Sequence, residues 1–255
     1  MTGYKADSPL YNYLLGLADD ELILGHRDSE WCGQAPLLEE DIAFANLALD
    51  EIGHASLWYN LVAMLSKQDP TTYPDQLIFT RHPEDYRNIQ IVELPVGDWA
   101  YSVLRQYLFD AYELTHYTKL MQSRYPPMAE VAAKIRNEEI YHIRHSSSWV
   151  QRLGKGTAES QRRMQNALNE LWPYTGQFFQ PMGGNELLVD SGYVPDSGQL
   201  QLNWEGNVVP FLQECSLEVP LAPRQKLSRE QHTPHLKILL SEMQSVARLD
   251  YEAGW

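Results

Sequence analysis

Apolar residues recur every three or four positions over most of the chain, and β-branched alternation is nearly absent, so the pattern predicts an all-α protein. A first helix starts at Ser8-Pro9, a cap followed by proline at the first helical position, and runs to about Arg27. Gly33 and Pro36 break the chain before a second helix over about Glu39 to Ser66. Residues 67–97, punctuated by Pro70, Pro74, Pro83 and Pro95, read as a long crossover with one short helix. A third helix spans about Asp98 to Arg124; Pro126-Pro127 opens a fourth that ends at Gly154, and a fifth covers about Thr157 to Phe179. Residues 181–225 are irregular, with helix within Gln199 to Cys215, and a last helix runs from Pro234 to about Asp250. Helices one and two form a pair with a short loop, three and four form another, and a longer connection joins the pairs. That is the outline of a ferritin-like four-helix bundle with additional C-terminal helices. One domain is expected over 1–255, with a bundle core at about 8–180 and an extension at about 181–255.

Acids and histidines interrupt the apolar stripes. On the second helix Phe44, Leu47, Glu51, His54 and Trp58 share one face. On the fourth the face reads Met128, Ala132, Ile135, Glu139, His142, Ser146 and Trp149. The third offers Val103, Tyr107, Asp110, Leu114, Tyr117 and Met121, and the first Leu14, Leu17, Glu21 and Leu24. A buried carboxylate is costly unless paired, protonated or metal-bound. Two Glu-x-x-His units plus one acid from each remaining helix make the ligand inventory of a carboxylate-bridged di-iron or di-manganese site. The spacing agrees: Glu21 lies 30 residues before Glu51, and Asp110 lies 29 before Glu139. The candidate metal ligands are therefore Glu21, Glu51, His54, Asp110, Glu139 and His142. Alternatives stay open: Glu113 for Asp110, Asp50 or Glu138 for its neighbour, Asp20 for Glu21, or an empty network of carboxylates bonded to histidines. Glu113-Leu-Thr-His116 reads as a chance copy of the motif. His145 is a second candidate partner for the site's carboxylates, as are Tyr107 and Tyr117. Cys32, after Trp31, is expected to pack, and His232 and His235 to cap the last helix.

Composition narrows the classes. The chain has 255 residues, 34 acidic against 20 basic, a formal charge of −14, and 44% hydrophobic residues. Such acidity argues against nucleic acid and anionic membranes as partners. No apolar run reaches the roughly 18 residues of a spanning helix, two cysteines make no disulfide framework, and no signal peptide is readable. A cytoplasmic setting is expected. There is no nucleophile triad, phosphate-cradling loop or dinucleotide fingerprint, so electrons for oxygen chemistry would come from another protein.

Particular segments carry a resemblance. Glu30-Trp31-Cys32-Gly33-Gln34-Ala35-Pro36, Asp41-Ile42-Ala43-Phe44-Ala45-Asn46 and Arg105-Gln106-Tyr107-Leu108-Phe109-Asp110-Ala111 resemble the PaaC-type subunits of phenylacetyl-CoA epoxidase. So do Tyr141-His142, Trp149-Val150-Gln151-Arg152-Leu153-Gly154 and His232-Thr233-Pro234-His235-Leu236; the likeness spans nearly the whole chain and is loosest at about 181–225. It implies a ferritin-like fold and a place in a complex that converts the ring of an aromatic acyl-CoA to its 1,2-epoxide with dioxygen. The implied partners are a PaaA-like di-iron catalytic subunit, a PaaB-like small subunit and a PaaE-like reductase bringing electrons from NADPH through FAD and iron–sulfur centres. A homodimer is also compatible. PaaC-type subunits are structural by that resemblance, whereas the six candidate ligands match in kind and spacing those of the catalytic paralogue. Two readings follow: an oxygenase subunit with its own di-iron site, or a structural subunit that docks the catalytic paralogue. A third, ferritin-like iron handling, is disfavoured by the resemblance.

Overall fold

Capping chemistry sets the helix boundaries in the computed structural model, which describes residues 8–249. Helix α1 (Pro9–Ser29) starts where the Ser8 hydroxyl accepts the Tyr11 N–H at 3.2 Å. Helix α2 (Leu38–Ser66) stops at Lys67, whose left-handed backbone (φ 56°) turns the chain out of the helix. Helices α3 (Tyr73–Phe79) and α4 (Gln90–Glu93), with a 3₁₀ turn at Pro83–Asp85 between them, lie in the crossover. Asp98 caps α5 (Trp99–Leu120) by accepting the Tyr101 N–H at 2.9 Å, and the proline pair opens α6 (Pro126–Gly154). The rest comprises α7 (Ala158–Leu171), a 3₁₀ stretch Trp172–Phe179, α8 (Asn185–Asp190), α9 (Ser197–Glu214) and α10 (Pro234–Met243). No strand occurs among the described residues.

α1 packs along α2 and α5 along α6, while α2 meets α6 across the centre. The short loops within each pair and the long crossover between them give the ferritin-like bundle. Close approach of α1 to α2 depends on Gly25: a Cβ there would stand 3.0 Å from the Glu51 Cβ and 3.1 Å from the Ala48 carbonyl oxygen. Nearly every residue of α1 from Leu10 to Asp28 is buried, because the crossover and the C-terminal segment cover the side that the bundle leaves open.

Several expected boundaries differ. The fifth helix stops at Leu171, because Pro173 supplies no N–H and the chain tightens into 3₁₀ geometry. The third stops at Leu120, and the last at Met243; its expected end, Asp250, lies outside the described residues. The crossover holds two short helices, and α9 continues through Pro210. On α5 Leu114 is only half-buried, and Met121 just past its end is exposed, whereas Glu113 and His116 are buried. The inward face is therefore rotated from the expected stripe. Cys32 is exposed rather than packed, while Trp31 beside it stacks edge-on against Trp99 and Phe44.

Long-range charge pairs tie the C-terminal segment to the bundle. The Arg229 guanidinium donates to Asp20 at 2.7 Å, both buried. The buried Glu93 carboxylate accepts from the Thr233 N–H at 2.6 Å and the Thr233 hydroxyl at 2.7 Å, and pairs with His232 Nδ1 at 2.6 Å. Thr233, not a histidine, caps α10. Replacing one partner strands the other in a dry site. Arg229→Met is expected to cost about 3–5 kcal/mol, and adding Asp20→Asn should recover part of that loss, both read from urea unfolding.

Candidate metal centre

Four helices deliver acids to one level of the bundle. Glu21 comes from α1, Glu51 and His54 from α2, Asp110 from α5, and Glu139 and His142 from α6; all six are buried. Each Glu-x-x-His unit sits on a face that is otherwise apolar, so burying the stripe carries the pair inward. With Glu113, a further buried acid of α5, the ligand atoms fall into three overlapping groups, each within 4.8 Å: Glu21, Glu51 and His54; Glu51, Asp110 and His142; Glu51, Glu113 and Glu139. Glu51 belongs to all three.

The two histidines are held alike. His54 Nδ1 faces Glu21 Oε2 at 3.4 Å and Glu51 Oε2 at 3.6 Å, while its Nε2 pairs with Glu138 Oε2 at 2.7 Å. His142 Nδ1 faces Glu139 Oε1 at 3.0 Å and Glu51 Oε1 at 3.6 Å, and its Nε2 meets Asp50 Oδ2 at 3.3 Å. An acid just before each Glu-x-x-His thus crosses to the opposite histidine. With its outer nitrogen on a carboxylate, each imidazole presents the Nδ1 lone pair inward when neutral. Asp50 and Glu138 are the half-exposed outer members of the cluster.

Neighbouring groups fix the remaining acids. The Tyr117 hydroxyl donates to Glu21 Oε1 at 2.5 Å and lies 3.0 Å from Glu113 Oε1. The Gln106 amide donates to Asp110 at 2.8 Å and to Glu51 at 3.1 Å, and the Ser146 hydroxyl to Asp110 at 2.6 Å.

The atoms left over test whether a metal fits. Glu21 Oε2, Glu51 Oε2, Glu113 Oε2, both Glu139 oxygens, His54 Nδ1 and His142 Nδ1 are buried without a hydrogen-bond partner. Ionised carboxylates only accept, so they cannot satisfy one another. Hard divalent cations would satisfy such an oxygen-rich set with two imidazoles. Without a cation, protons hold the charge together. Burial, reinforced by neighbouring carboxylates, pushes Glu51, Asp110 and Glu113 well above the usual range. Burial opposes a charge on His54, but the Glu21 and Glu51 carboxylates raise it to about 11. His142 is likewise raised against burial, by Glu139 and Asp50. Burial also works against ionised Glu21, yet the charge of His54 holds it near 2.

The structure brings the six sequence-derived residues together and adds Glu113, which joins Asp110 instead of replacing it. Asp20 does not stand in for Glu21; it faces Arg229. Asp50 and Glu138 back the histidines. His116 turns away from the cluster to Tyr13, His145 pairs with Glu40 at 2.8 Å, and Tyr107 packs on Phe211. Gln106 gave no periodic signal because glutamine fits exposed helix faces equally well.

A family model described as phenylacetic acid catabolic protein matches residues 1–255. The chain is 38% identical over 239 residues to the C subunit of the 1,2-phenylacetyl-CoA epoxidase of Escherichia coli (strain K12), covering 93% of this chain and 95% of that one. It is 23% identical over 168 residues to the A subunit of the same epoxidase, covering 66% of this chain and 53% of that one. No helix among the described residues is long and apolar enough to cross a membrane.

The electrostatics fix a pH dependence. The folded value of His54, about 11, lies above the ordinary 6.5. In the metal-free protein the stabilisation from this group is therefore complete below pH 6.5 and is lost as pH rises through 11. A metal must expel that proton. Divalent-metal affinity should rise between about pH 6 and 9, with proton release measured by calorimetry in buffers of different ionisation enthalpy.

Proposed function

The chain belongs to the phenylacetic acid catabolic protein family, and from that premise we propose that it is a subunit of a multicomponent aromatic acyl-CoA epoxidase that retains a carboxylate-bridged di-iron site. One observation carries the metal reading: seven buried lone-pair atoms of six side chains are left without hydrogen bonds at one level of the bundle. Under this proposal Glu21, Glu51, His54, Asp110, Glu139 and His142 hold the metals, with Glu113 as a further carboxylate. Glu51, whose oxygens lie 3.6 Å from His54 and 3.6 Å from His142, would serve both halves of such a site. A bound iron pair would supply the dioxygen-activating redox chemistry of a monooxygenase.

The chain's own residues then have defined tasks. Glu138 and Asp50 hold His54 and His142 in the tautomer that presents Nδ1 inward. Tyr117 fixes one oxygen of Glu21 and leaves the other facing His54. Gln106 and Ser146 each fix one oxygen of Asp110. Tyr117 stacks on Trp58 at 5.8 Å between ring centres, an apolar wall that keeps water from the Glu21 side. Electrons enter from a separate reductase using NADPH, FAD and iron–sulfur centres; a PaaA-like subunit and a PaaB-like small subunit complete the complex, which acts in the cytoplasm. The proposed organisation is one ferritin-like domain, with α7 to α10 as its extension.

A second reading gives this protein a structural role, docking the catalytic paralogue without turnover of its own. Its support is the greater likeness to the C subunit, 38%, than to the A subunit, 23%. The readings part on whether this chain turns over. After anaerobic iron loading, elemental analysis should find two irons per chain, and Glu51→Ala should abolish both while leaving the helical circular dichroism intact. Protein that stays metal-free under loading would sink the di-iron reading and leave the structural one.

A further inference from the structure

Two buried tyrosines are each aimed at a base. The Tyr117 hydroxyl donates to Glu21 Oε1 at 2.5 Å. The Tyr13 hydroxyl lies 2.5 Å from His116 Nε2. The imidazole of His116 joins the two pairs, because it also stacks on Tyr117 with ring centres 5.4 Å apart and planes 17° apart. His116 thus touches one tyrosine through its face and the other through its nitrogen. The metal ligands described above make no use of Tyr13 or His116.

The protons of this group have defined positions. His116 Nδ1 is buried without a hydrogen-bond partner. If Nε2 carried the imidazole proton, the Nδ1 lone pair and the Tyr13 hydroxyl proton would both go unpaired; with Tyr13 as donor, only the Nδ1 proton does. Burial, reinforced by the charge of Arg229, lowers His116 to about 3. The ring is therefore neutral near pH 7, and Nε2 accepts.

A phenol gives up an electron readily only where its proton can leave in the same step, to an acceptor within hydrogen-bond reach. Both tyrosines meet that condition, and one imidazole ring lies between them. Tyr117 touches a candidate metal ligand at the inner end. At the outer end Tyr13 and His116 line a narrow pocket of about 30 Å³ with Asn185, Arg229 and the exposed Pro181. A pocket of that size admits water, and Pro181 marks its mouth.

We propose that Tyr117 and Tyr13, bridged by His116, form a path that discharges the metal centre to an external thiol when dioxygen has oxidised it beyond its resting state and no acyl-CoA is bound. This rests on the di-iron reading above. In the first step Tyr117 gives an electron to the oxidised centre and its proton to Glu21 Oε1, leaving a phenoxyl radical. In the second, Tyr13 gives an electron to that radical and its own proton to His116 Nε2, while Tyr117 recovers its proton from Glu21. An imidazolium beside Arg229 in a buried site is unfavourable. The proton therefore returns to Tyr13 as the Tyr13 radical takes an electron from a thiol at the pocket mouth. The thiol releases its proton to water, and two such events yield one disulfide. The centre is reduced one electron at a time, and its own ligands are spared.

The test loads the full-length chain with ferrous iron under nitrogen and admits dioxygen without acyl-CoA or reductase. Freeze-quenched samples are read by electron paramagnetic resonance, with iron counted in each. The parent should show an organic radical whose hyperfine pattern changes with ring-deuterated tyrosine, and glutathione should speed its decay. Tyr13→Phe and His116→Phe should keep the radical and lose the acceleration by thiol. Tyr117→Phe should lose the radical while retaining iron. Tyr101→Phe, near the start of α5, should behave like the parent. Tyr13 and His116 touch no metal ligand, so their variants decide the outcome even where Tyr117→Phe weakens iron binding. If the parent binds and oxidises iron, yet neither it nor Tyr13→Phe gives a tyrosine radical, the path is wrong and the di-iron reading stands. A radical that survives in iron-loaded Tyr117→Phe, or a thiol effect that survives in Tyr13→Phe, overturns the path as well. If the parent takes up no iron, the di-iron reading fails and this proposal with it.

Discussion

Five carboxylates share a dry bundle centre with two imidazoles, and the surrounding fold answers to that imbalance. Each anion would be prohibitive alone. Glu21, Glu51, Asp110, Glu113 and Glu139 are tolerated because Tyr117, Gln106 and Ser146 donate to them and because His54 and His142 stand between them as proton or metal sites. The same requirement explains why α1, though buried on nearly every side, is rich in acids. Asp19 is met by Tyr59 and Arg81, Asp20 by Arg229, and Asp28 by Arg105, each cation arriving from a different segment. The crossover and the C-terminal segment are thus counter-charge carriers as much as connections.

The two halves repeat one device. Asp50-Glu51-x-x-His54 and Glu138-Glu139-x-x-His142 occupy neighbouring helices, and the first acid of each unit supports the histidine of the other. Removing either unit therefore loosens both. This reciprocity makes the pair a single structural element. It also leaves the ionisable core in contact with the exterior mainly through two half-exposed carboxylates on the α2–α6 seam.

Much of this was legible in the sequence because buried helices carry a 3.6-residue signature and acids that break it stand out. The four bundle helices and the convergence of the six named residues follow from that signal. Glu113 reads in the sequence only as a rival to Asp110 because a stripe through Leu114 and Met121 follows the half-buried and exposed side; α5 is buried on several sides, which erases a single-face period. Asp50 and Glu138 look like ordinary helix-surface acids until the neighbouring helix is in place. Partnerships such as Arg229 with Asp20 have no local signature, since 209 residues separate the partners.

That separation bears on how the molecule is made. Chains emerge from the N-terminus at about 5–20 residues per second, so Arg229 follows Asp20 by roughly ten to forty seconds. Glu93 waits in the same way for His232 and Thr233. Before that interval ends the four bundle helices have all been synthesised, yet two interior anions still lack their eventual partners. Vectorial synthesis therefore makes the last segment of the chain a closing step: the bundle can assemble early, but it reaches its full stability only when the final segment is laid over it. A nascent chain arrested before residue 229 would be compact and incompletely neutralised, a natural client for chaperones.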